Sequence, residues 1–143
     1  MSDVLDEIRE RARAACKRIV LPETAEPRTL EAAKILRAGG LAEPILPDAA
    51  LVAARRERYA ESLAAARAHK GLTVDEARAA LDDPLLFAAV MVREGDADGA
   101  VAGAVSTTAA TVRAALTGIG LAPGISTVSS FFLIVFPPAH VFP

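Results

Sequence analysis

Residues 103–113 read GAVSTTAATVR, and they overlap the end of a small-residue apolar run, AVAGAV, at 100–105. A short apolar run of this kind fits a buried strand. Ser106, Thr107 and Thr108 then set three hydroxyls in a row at the joint, and a helical pattern over 108–117 carries Arg113. Strand, tight turn and helix in this order make the repeating step of a parallel α/β domain.

Working outward, the same step recurs. Upstream, GDADG (95–99) reads as a turn. Asp83-Pro84 opens a helix with Leu86, Phe87, Val90 and Met91 apolar, ending near Gly95. Proline suits a first helical turn because its missing N–H has no partner there. Thr73-Val-Asp-Glu76 has the spacing of a capping box and predicts a short helix after it. Residues 48–69 are rich in alanine and arginine and read as helical. AEPILP (42–47) is a strand pinched between prolines. Pro27 opens a helix that turns Leu30, Ala33 and Leu36 inward and stops at Gly39-Gly40. RIVLP (18–22) is a short buried strand, followed by the loop ETAEP. Residues 3–16 form an amphipathic helix with Val4, Leu5, Ile8, Ala12 and Ala15 on one face and Ser2 as its cap. Downstream, GIGLAPG reads as a loop and STVSSFFLIVF (126–136) as a strand, before the tail PPAHVFP. The expected fold is one α/β domain over 1–143, three layers α/β/α around a mainly parallel sheet.

Composition narrows the chemistry. Of 143 residues, 52% are hydrophobic and 24% charged, a balance that suits a soluble globular domain rather than a disordered chain. The net charge of −2 supplies no basic field, so no nucleic-acid partner is expected. One cysteine, Cys16, and two histidines, His69 and His140, make a disulfide framework or a metal site an unexpected outcome. The charged N-terminal segment does not read as a secretory leader, and no apolar run approaches the roughly 20 residues of a membrane span. The expectation is a cytoplasmic protein without a membrane partner.

The opening stretch has two readings. A strand passing through Gly103 into a helix leaves free N–H groups converging on one spot, with about half a positive charge from the helix dipole. Three hydroxyls add donors, which together suit a phosphate. Serine and threonine are also ordinary helix caps, and by spacing alone that reading stands ahead. Arg113 either turns back toward an anion or lies on a solvated face. RAHKG (67–71) gathers Arg67, His69 and Lys70 either as dipole partners at a helix end or as a cationic cluster for phosphate. Asp96 and Asp98 suit a turn better than catalysis, Cys16 reads as a small buried side chain, and Arg28 is open.

Four stretches in order resemble the phosphate acetyl/butyryl transferase family: RIVLPETAEPRTLEAA (18–33), ARAHKGLTVDEAR (66–78), DPLLFAAVMVREGDADGAVAGAVSTTAATVRAAL (83–116) and VSSFFLIV (128–135). The third block is the specific one and looks most like the acetyl branch. The resemblance implies reversible acetyl transfer between coenzyme A and inorganic phosphate, giving acetyl phosphate. It implies no metal or redox cofactor, with coenzyme A, phosphate and acetyl phosphate as substrates. Such a reaction needs a base for the thiol, donors for the oxyanion and cations for the phosphate. By resemblance Arg67 and Arg113 bind substrate, and Gly103, Ser106, Thr107 and Thr108 line the site. It implies a fold like that of the isocitrate/isopropylmalate dehydrogenases, and a homodimer.

The family is about twice this length, with its site in a cleft between two α/β domains, and more chain near 43–58. Its serine motif and its aspartate base have no match here. The expectation is therefore a partial transferase domain with impaired activity. The alternatives are a butyryl-transferring enzyme, a module that binds coenzyme A or an acyl phosphate without turnover, and an inactive fragment.

Overall fold

Three short parallel strands organise the chain, and a computed structural model describes residues 4–135. The elements are α1 (Val4–Ala15), β1 (Arg18–Val20), α2 (Pro27–Ala38), β2 (Glu43–Ile45), α3 (Ala49–Ala66), a 3-10 turn (Ala68–Lys70), α4 (Val74–Ala80), α5 (Pro84–Arg93), β3 (Gly99–Ala100) and α6 (Thr108–Gly118). The sheet order is β2-β1-β3, with Ile19 opposite Pro44 on one side and Gly99 on the other. The chain moves one way from β1 to β2 and the other way from β2 to β3. Right-handed crossovers then put α2 on one face and α3, α4 and α5 on the opposite one. The expected three-layer α/β arrangement with a parallel sheet is what forms.

The core lies on the α3–α5 side. Val20, Tyr59, Leu63, Leu81, Phe87, Val90 and Met91 are its largest fully buried side chains. Every residue of α5 from Leu85 to Met91 is buried, because this helix is packed by α3 and α6 as well as by the sheet. The Tyr59 and Phe87 rings meet at 5.1 Å, tilted by 49°. At Gly118 the backbones of α5 and α6 approach so closely that a Cβ would stand 2.6 Å from Ala89 Cβ.

Local chemistry sets the helix starts: the Thr73 box and the Asp83-Pro84 start are as the sequence predicts, and Asp48, read as helical, is the cap of α3. Asp48, Thr73 and Asp83 accept from the N–H groups of Leu51, Glu76 and Leu85 at 2.7, 3.3 and 2.9 Å. The capping box closes through Glu76, which accepts from the Thr73 N–H at 2.9 Å. The two aspartates of GDADG are structural. Asp98 accepts from the Arg18 backbone at 2.8 Å and from its guanidinium at 3.1 and 3.2 Å, while that guanidinium also donates to the carbonyls of Gly95 and Asp96. Asp96 accepts from the Tyr59 hydroxyl at 2.5 Å and pairs with Arg55 and Arg58.

Five expectations change. No residue of α1 is buried, and its apolar face of Val4, Leu5 and Ile8 is exposed, because α1 does not pack on the core. On α2 the buried face is Thr29 and Ala33, and Leu30 sits one position round at 39% exposure. Cys16 is exposed rather than buried: it closes α1 in the left-handed region at φ 42°, donating its N–H to the Ala12 carbonyl. Of the strand expected at 100–105 only Ala100 is kept: β3 is Gly99–Ala100, extended by the Val101 N–H donating to the Val20 carbonyl. Residues 126–135 form no strand, since no sheet edge pairs with them, and Phe131 and Phe132 stand almost fully exposed. Ser2, His140 and the PPAHVFP tail lie outside the described residues.

Candidate functional site

The 2-1-3 strand order decides where a site can form. The segments leaving the C-terminal ends of β1 and β3 diverge to opposite faces of the sheet, which opens a crevice between them. It measures about 330 Å³ and is lined by Leu21, Glu23, Arg28, Thr29 and Val101–Ala104, among others.

Its floor is the turn that the sequence singled out. Gly103, at φ 103°, adopts the left-handed backbone that only glycine takes without strain. The N–H groups of Gly103, Ala104, Val105 and Ser106 then converge, as expected of an anion cradle. The anion they hold is internal. Glu23 Oε2 accepts from Gly103 and Ala104 at 2.8 and 2.7 Å, and Oε1 accepts from Val105 and Ser106 at 3.0 and 2.8 Å. Glu23 is only 8% exposed. Burial pushes its pKa up, but the hydrogen bonds from the Ser106 side chain and from the turn's amides outweigh that and hold it at about 2. The carboxylate is ionised at neutral pH.

Glu23 is the residue that sequence reasoning missed, having been placed in the loop ETAEP. The usable signal is an acid just beyond a strand-ending proline in a chain whose cradle lacks an assigned anion. Only the adjacency of β1 and β3 joins the two.

The three hydroxyls separate by role. Ser106 bonds to Glu23, and Thr107 caps α6 by accepting from the Ala110 N–H at 3.2 Å. Thr108 is the first residue of α6 and is exposed. Arg28 bridges the crevice walls, donating to Glu26 at 2.7 Å and to the Ala104 carbonyl at 2.8 Å, with its side chain largely exposed. Arg113 is exposed on α6, six residues beyond the Thr107 cap, or ~9 Å along the axis. It lines a second cleft of about 160 Å³ with Asp83, Leu86, Ala110, Ala114 and Thr117. Arg67 stands at the C-terminal end of α3, half-buried, and lines neither cleft. The structure thus brings Gly103, Ser106 and Thr107 together, sets Thr108 and Arg113 on the helix they lead into, and leaves Arg67 apart. Among the described residues no group of three or more His, Cys, Asp or Glu is placed to hold a metal ion. No helix among them is long and apolar enough to cross a membrane.

Residues 3–142 match the family model described as phosphate acetyl/butaryl transferase. The chain belongs to this family. It is 38% identical over 153 residues to a phosphate acetyltransferase of Acetivibrio thermocellus, a match covering 93% of this chain and 46% of that protein. It is 45% identical over 141 residues to the phosphate acetyltransferase of Paracoccus denitrificans, covering 92% and 44%. The solved phosphotransacetylase from Streptococcus pyogenes superposes with a TM-score of 0.78 at 31% identity, covering 86% of this chain and 44% of that one. The chain therefore spans about half the length of these relatives. Its three-stranded sheet does not discriminate the dehydrogenase-like arrangement from other doubly wound ones.

Proposed function

We propose that this transferase chain takes part in reversible acetyl transfer between coenzyme A and inorganic phosphate, giving acetyl phosphate. The observation that carries the reading is the family match over 3–142, joined to identities of 36–45% with phosphate acetyltransferases. Towards acetyl-CoA, the thiolate of coenzyme A attacks the carbonyl of acetyl phosphate and inorganic phosphate leaves; towards acetyl phosphate, inorganic phosphate attacks acetyl-CoA and the thiolate leaves. Arg113 and Thr108, both exposed on α6, are suited to hold the phosphate or the anionic part of coenzyme A. Arg67 is assigned to substrate by the family resemblance. The chemistry draws on coenzyme A and phosphate as substrates and on no metal or redox group. A cytoplasmic homodimer belongs to the same proposal.

One observation favours a second reading, in which the chain binds substrate without turnover. Glu23, which lines the crevice, is engaged by the turn's amides, and Glu26, the nearby α2 cap, is engaged by Arg28, so neither is placed as a base for the thiol. The test is acetyl-CoA formation from coenzyme A and acetyl phosphate, for the chain and for Arg113→Ala and Arg67→Ala. Turnover that falls on the order of 10²-fold in Arg113→Ala supports the transferase reading. Coenzyme A binding without turnover, weakened in Arg113→Ala, supports the second. Neither turnover nor binding refutes both.

A further inference from the structure

The turn at 103–106 has the form of an anion site, and the chain itself supplies the anion. Four consecutive amides and one hydroxyl are spent on one carboxylate from a segment some eighty residues away. An ordinary cap would satisfy one or two donors. The carboxylate also spans the crevice at the point where the β1 and β3 segments part. From the same β1–α2 stretch as Glu23, Arg28 donates to the Ala104 carbonyl, so the turn is gripped through its amides and through a carbonyl.

We propose that Glu23 is a positioning residue. Its carboxylate fills the nest permanently and fixes the turn from which α6 starts, so that a substrate anion is received by side chains beyond the turn and not by the amides of 103–106. This deepens the proposed function and rests on it for the consequence at turnover. The positioning itself is independent of activity and is tested without it.

The experiment is amide hydrogen exchange and amide chemical-shift mapping on the full chain, wild type and Glu23→Ala, with and without added sodium formate or inorganic phosphate. In Glu23→Ala the exchange protection of the Gly103–Ser106 amides is expected to fall at least ~10-fold while amides of α5 keep theirs, because the opening is local. Formate, a carboxylate small enough for the emptied nest, is expected to restore much of that protection. In the wild type, phosphate is expected to leave these four amides unshifted. Unchanged protection in a folded Glu23→Ala overturns the proposal, as does loss that formate leaves unrepaired. Phosphate-induced shifts at 103–106 in the wild type also overturn it, since the nest would then be exchanging Glu23 for ligand.

Should Glu23→Ala not fold, Glu23→Gln serves, because it keeps one acceptor oxygen. Protection lost at only the pair of amides facing the new NH₂ supports the clamp, and uniform protection overturns it. Absence of turnover in the wild type would sink the proposed function and leave the exchange result to decide the role of Glu23.

Discussion

Glutamine at position 23 should destabilise the chain most at neutral pH, and by less as the pH falls. The folded-state pKa of Glu23 is about 2, against an ordinary value of 4.5. A depressed carboxylate pKa means that the unfolded chain takes up its proton first as acid is added. The stabilisation is therefore complete above about pH 4.5, drains as pH falls, and is gone near pH 2. At 1.36 kcal/mol per pKa unit, the gap corresponds to about 3 kcal/mol for a side chain this well buried. That is a large share of a stability of 5–15 kcal/mol, and it corresponds to a fall in melting midpoint on the order of 10 °C. The assay is urea unfolding of wild type and Glu23→Gln at pH 7, 5, 4 and 3. Asp98 is also held at about 2 by Arg18, through hydrogen bonds from its side chain and backbone, so the wild type loses more than the Glu23 contribution in acid. The variant loses the Asp98 part equally, and the difference between the two proteins isolates Glu23. A difference of about 3 kcal/mol at pH 7 that narrows between pH 5 and pH 3 is the expected result. A difference that stays constant with pH would refute the reasoning, because the bonds to the turn would then owe nothing to ionisation.

Three further outcomes follow from packing and backbone geometry. Gly118→Ala sets a methyl group 2.6 Å from Ala89 Cβ and 3.1 Å from its backbone, so α6 must move off α5 at a cost of roughly 1–3 kcal/mol, read by calorimetry; an unchanged melting midpoint would mean that the helices are not in this contact. Tyr59→Phe removes the hydroxyl that donates to Asp96 in a part-buried bond at the edge of the core and should cost about 1 kcal/mol in urea unfolding, since Arg55 and Arg58 still pair with Asp96. Cys16→Gly relieves a non-glycine left-handed residue at the end of α1 and should raise stability by up to ~1 kcal/mol, whereas destabilisation would show that the cysteine makes contacts outweighing the strain.

Most helix boundaries were legible because they are local. Asp48, Thr73 and Asp83 each cap with an oxygen three or fewer residues from its donor, and Pro27 and Pro84 declare first turns by covalent geometry. Leu30, the face of α1 and the 126–135 segment were misread for one shared reason. An apolar pattern says that a face prefers to be covered, but not what stands opposite it. The site divides along the same line. Gly103 and the hydroxyls of 106–108 were legible as a strand-to-helix turn that could cap or cradle, with the cap ahead by spacing, and the carboxylate that its amides hold was not legible.

By itself the sequence determined the succession of elements as far as α6, the parallel α/β class and membership of a transferase family, since periodicity, caps and motifs are properties of neighbouring residues. The tertiary structure alone decided that β1 and β3 lie side by side with their outgoing segments diverging. That placement brings Glu23 to four amides on a turn far along the chain. A hydrogen bond needs its partners within about 3 Å, and no spacing in the sequence encodes a distance between loops that only the sheet order creates.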